Sequence, residues 1–103
     1  MNKTIRKQLS AMAARMDEIS EAMEGMRSEL EGMKDELEEI KEGEETKLEN
    51  LEEKFSETER YQTQSDVCDA LDEVFDDMEE LVDGIDPSDI DNVADALRMI
   101  INN

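Results

Sequence analysis

Carboxylates are the chemically capable groups of this sequence. Its 103 residues include 31 Asp and Glu against 11 Lys and Arg, with one Cys and no His. Carboxylates can shuttle protons, hold cations or meet a basic partner. Proton transfer needs a cleft that perturbs a carboxyl pKa. A chain with two Phe, one Tyr and no Trp has little with which to wall one. Zinc and thiolate sites lose their usual ligands when His is absent and Cys68 stands alone. Cys–His and Ser–His nucleophile pairs are lost for the same reason. There is no Gly-rich phosphate loop. The run Asp83-Gly-Ile-Asp-Pro-Ser-Asp-Ile-Asp91 has the acids of a calcium loop but misplaces its Gly and lacks the Glu at the twelfth position. Those acids read as helix caps. The expectation is a protein that is not an enzyme and takes no cofactor and no metal.

Recognition of a basic partner is the use that remains. The net charge of −20 repels nucleic acid and anionic membrane surfaces. It favours basic protein surfaces. Residues 61 to 103 hold thirteen acids and one base, Arg98. Asp66, Asp69, Glu73, Asp76, Glu80 and Asp83 recur at 3,4,3,4,3. On a helix that spacing makes one negative stripe, with neighbours about 5–6 Å apart. Phosphates along a DNA strand repeat on a similar scale. A rigid helix so charged could occupy a basic nucleic-acid channel, which is the logic of a DNA mimic; the alternative is an acidic face that is simply solvated.

These side chains need helices to position them, and the periodicity supplies helices throughout. Ile5, Leu9, Met12, Met16, Ile19, Met23, Met26, Leu30, Met33, Leu37 and Ile40 are spaced 4,3,4,3 without a miss. Eleven such positions are a coiled-coil seam. Residues 3 to 42 would span about 60 Å as helix. Leu48, Leu51 and Phe55 continue the pattern in a shifted phase, with Gly43 inside the slip. A stutter, a kink or a turn is expected there. Ser56 to Ser65 is polar and reads as a frayed end plus linker. A second helix is expected from an N-cap at Ser65 or Asp66, with Val67, Leu71, Val74, Met78 and Leu81 as its core face and Gly84 at its end. Cys68, Phe75 and Val82 widen that face. Asp86 should cap a third helix that opens on Pro87 and buries Ile90, Val93, Ala94, Leu97, Ile100 and Ile101.

The predicted fold is all-α: a long N-terminal coiled-coil helix over 1–55, a linker over 56–65, and an acidic antiparallel helical hairpin over 66–103. With Leu9 at heptad position a, the bases Arg27, Lys34 and Lys41 all fall at e, and Glu29 and Glu36 fall at g. A parallel homodimer would pair Glu29 with Lys34 and Glu36 with Lys41 across the seam. Two features oppose that orientation. Residues 1 to 16 carry Lys3, Arg6, Lys7 and Arg15 and no acid, so parallel chains would stack like charges. Leu at a with Ile at d also leans toward more than two strands. Met12, Met16, Met23, Met26 and Met33 make the seam adaptable, able to repack around a foreign helix.

Glu36-Leu-Glu-Glu-Ile-Lys-Glu42, Leu48-Glu-Asn-Leu51, Ser56-Glu-Thr-Glu-Arg60 and the acidic helix from Asp66 carry a family resemblance, as does the opening Met1-Asn-Lys-Thr-Ile-Arg-Lys7. Over about residues 36 to 85 the chain resembles small acidic helical proteins of Firmicutes prophages and mobile elements. Its longer Met-rich N-terminal heptads and its third helix depart from theirs. The resemblance carries no functional residues. It implies context: small acidic phage-borne proteins are often inhibitors of host defence systems, some of them DNA mimics. The expected function is a coiled-coil interaction protein, with itself and a basic protein surface as partners and neither nucleic acid nor membrane bound directly. The alternative is a structural or adaptor protein working through the Met-rich seam. A lone Cys, no secretory leader and no transmembrane-length apolar run point to the cytoplasm, that of the host if the protein is phage-encoded.

Overall fold

The computed structural model describes residues 1–55 and 58–102. Three helices follow one another, α1 (Lys3–Phe55), α2 (Glu59–Asp83) and α3 (Ser88–Ile101). No strand occurs among the described residues, so the chain is all-α as its periodicity predicts. It divides into two compact units, one formed by Met1–Ser28 with the chain from Ile85 onward, the other by Glu29–Gly84. The long helix α1 contributes to both.

In the first unit α1 opens on Asn2, whose side-chain oxygen accepts the Ile5 N–H at 2.9 Å and so satisfies one donor that a helix start leaves free. Its partner is α3. Arg98 is ion-paired with Asp17, and Arg27 donates to the Ile85 carbonyl at 3.3 Å. Residue numbers fall along α1 as they rise toward α3, so the two run antiparallel. The side chains buried between them are small: Ala13 at 2% exposure, Ser20 at 5% and Ala94 at 1%. Leu9, Met16, Met23, Ile90, Leu97 and Ile101 are half-buried around them.

The start of α3 follows the sequence closely. The Asp86 carboxylate accepts from the Ser88 N–H at 2.9 Å and from the Ser88 hydroxyl at 2.6 Å. The helix itself begins one residue later than predicted, because Pro87 (φ −79°, ψ 0°) serves as the capping position. The hydroxyl and then the amide of Ser88 hold the Asp86 carboxyl below its ordinary pKa.

In the second unit helix occupies residues 59–65, where a linker is predicted. Thr58 (φ −90°, ψ 157°) is the N-cap of α2, and its hydroxyl accepts the Tyr61 N–H at 3.2 Å. The cap expected at Ser65 or Asp66 is therefore superseded, while Ser56 and Glu57 lie outside the described residues. The reason lies in which residues face α1. Tyr61, Ser65, Cys68, Asp72 and Phe75 are covered at 4,3,4,3 spacing. Gln64 also faces inward, donating to the Glu44 carbonyl at 2.9 Å and to its carboxylate at 2.6 Å. Polar side chains thus fill inward positions and hide the helical pattern. Gly84 ends α2 with its N–H on the Glu80 carbonyl at 3.0 Å, in right-handed geometry (φ −74°).

Antiparallel pairing, predicted for the acidic C-terminal half, is made with α1 as the partner of each helix: α3 in the first unit, α2 in the second. The turn considered near Gly43 is absent, since α1 runs through it as helix. Good helix formers on both sides outweigh the ~1 kcal/mol cost of one Gly.

Candidate interaction site

The second unit builds a charged hairpin from the heptad upward. The predicted seam bases Lys34 and Lys41 lie one heptad apart on α1 and reach across to α2. Lys41 Nζ lies 3.0 Å from Asp72 Oδ1, an oxygen shielded from solvent, and Lys34 Nζ lies 3.7 Å from Glu79 Oε1. Phe75 sits between the two pairs, with the ammoniums 5.1 Å and 5.4 Å from its ring centre. Both distances are within cation–π reach. The Asp72 carboxylate raises the Lys41 pKa, against a smaller opposing effect of desolvation. Glu44 moves the other way, lowered first by Gln64 and then by Lys47. Both lysines are engaged within the chain, because α2 brings carboxylates to the e positions of α1.

The predicted seam residues divide into two sets. Leu9, Met16, Met23, Leu30 and Leu37, at position a, are half-buried by the chain's own helices. Ile5, Met12, Ile19, Met26, Met33 and Ile40, at position d, remain between 41% and 55% exposed. The face turned inward is a with e rather than a with d, since Ala13 and Ser20 at e are buried and Arg27, Lys34 and Lys41 half-buried. The later helices repeat this arrangement. Val67, Val74 and Leu81 on α2 and Val93 and Ile100 on α3 are exposed at heptad spacing.

All six residues of the predicted acidic stripe, Asp66, Asp69, Glu73, Asp76, Glu80 and Asp83, are exposed along α2. Asp66 accepts from the Gln62 side chain at 3.0 Å. Charge is unevenly shared: the second unit holds twenty-three acids and five bases, the first eight acids and six bases. Cys68 is buried at 5% exposure, and desolvation, with nearby carboxylates adding to it, pushes its thiol pKa up. Among the described residues, no three acidic or thiol side chains converge on a metal-sized site, and no helix is long and apolar enough to cross a membrane.

Sequence reasoning missed Thr58, Tyr61 and Gln64. The available signal was a Thr at the head of a 4,3,4,3 run that includes polar residues. Comparisons with protein-family models, with curated proteins and with solved structures each find no match to this chain.

Proposed function

We propose that the protein is a non-enzymatic, acidic helical interaction protein that covers a basic surface on a protein partner. The observation that carries this reading is the exposed carboxylate stripe of α2. Its helix is held to α1 by the Lys34–Glu79 and Lys41–Asp72 pairs, on the face beside the stripe. Six carboxylates between Asp66 and Asp83 give roughly one charge per 5 Å of helix, near the ~3.4 Å rise per phosphate of a nucleic-acid strand. A partner built to hold a phosphate backbone is therefore the proposed target, a nucleic-acid-binding protein of a host cell. The resemblance to prophage proteins supports the same context.

Such binding is electrostatic and weakens with salt. Capture from bacterial lysate at low and high salt should recover a basic nucleic-acid-binding protein at low salt and lose it at high salt. Reversing Asp69, Glu73, Asp76 and Glu80 to Lys should abolish capture with helicity unchanged by circular dichroism. Capture that survives the reversal rules the reading out.

A second reading is favoured by the exposed d positions, among them Met12, Met26 and Met33. An adaptor using this flexible apolar stripe would hold its partner at high salt. Met26→Asp with Met33→Asp should then release it.

A further inference from the structure

The first unit presents an apolar face that its own helices leave uncovered, and we infer that a second copy of the chain packs on it in antiparallel orientation. Ile5, Met12, Ile19 and Met26 form one exposed row on α1, and Val93 and Ile100 form another on α3. Both rows sit at the same heptad position relative to the covered residues of their helix. Viewed from one end, an antiparallel second helix winds in the opposite sense, so its d positions swing to the same side as those of the first. The two rows therefore flank one side of the α1–α3 contact and make a face two helices wide. A face of that width is complementary to its own copy, as in a four-helix bundle.

The orientation follows from α1. Turning a copy end for end about a point near Met16 sets Ile5 against Met26 and Met12 against Ile19. The same operation leaves Arg15 about two residues, ~3 Å of helix rise, from level with Glu18 of the copy, near enough for these long side chains to make the reciprocal exchange that a two-fold interface requires. These two groups already pair at 2.8 Å within one chain and are exposed, so either can turn to the copy. An open apolar groove of about 450 Å³ lies at that point, lined by Ala11, Met12, Arg15, Met16 and Ile19. Charge also permits the contact, because the first unit carries six bases against eight acids whereas the second would repel its copy strongly. With α1 of this unit about 39 Å long and ~10 Å wide, and α3 overlapping its copy over about one turn, the face covers on the order of 400 Å² per copy. The ~800 Å² total is the size of a weak, concentration-dependent interface.

The test uses the whole chain and does not depend on the acidic stripe. Sedimentation equilibrium at micromolar concentration should give a dimer. Ile19→Lys with Met12→Lys should weaken it at least about tenfold while helicity is kept, since burying two ammoniums is costly. Orientation is read in a Cys68→Ala background. Gln8→Cys and Gly25→Cys chains, mixed and oxidised, should form the mixed disulfide, and each alone should not. A monomeric wild type, a dimer indifferent to the lysines, or cross-linking of each variant with itself overturns the inference.

Discussion

Single residues set where the helices of this protein begin and what they tolerate. Thr58 supplies a side-chain cap to α2. Thr58→Ala should lower stability by about 1 kcal/mol in urea unfolding, and Thr58→Asp should retain most of it. Gly43 is the converse case. A Cβ there meets nothing within 4 Å, and the backbone is helical. Gly43→Ala should raise stability by about 1 kcal/mol, seen as a higher urea midpoint. Cys68 adds a pH dependence. Its folded pKa is raised by burial, so folding favours the neutral thiol. That contribution is complete below the unfolded thiol pKa and is lost as pH rises through the folded value. The melting temperature of the native chain should therefore fall more steeply in the alkaline range than that of Cys68→Ala. A thiol reagent should label Cys68 slowly until the chain unfolds.

Among the elements, the α1–α2 pair is the one that charge holds in register. Lys34 and Lys41 face Glu79 and Asp72 one heptad apart, so a slip of one helix past the other breaks both pairs together. Lys34→Glu should destabilise the chain, and adding Glu79→Lys should restore most of the loss in a double-mutant cycle. Much of this level was legible in the sequence. The 4,3 spacing located α1, Gly84 marked the end of α2, and Asp86 marked the start of α3. The first turns of α2 were not legible, because Gln64 and Ser65 occupy inward positions with polar side chains. Which of the seam positions the chain itself covers was not legible, for a physical reason. Heptad spacing identifies a stripe but not its occupant, and Leu9 to Leu37 at position a serve the intrachain contact equally well. Basic residues at e were the clue, since α2 offers ten carboxylates between Glu59 and Asp83 to meet them.

For the molecule as a whole, charge and burial pull in opposite directions. The second unit holds twenty-three acids against five bases, and that self-repulsion is relieved when salt screens it. The melting temperature should rise as sodium chloride is added from low ionic strength, the opposite of the trend proposed for partner binding. Burial is sparse: among the described residues Ala13, Ser20, Cys68, Val82, Pro87 and Ala94 are buried, and none of them is large. That sparseness governs the heat capacity. Unfolding a domain of this length ordinarily raises it by about 1.2–1.5 kcal/mol/K, nearly all from apolar surface newly exposed to water. A lone copy should fall well below that increment, which flattens its stability curve and moves cold denaturation to lower temperature. Two copies joined over their apolar rows would recover part of the increment, so the curvature of the calorimetric trace should grow with protein concentration.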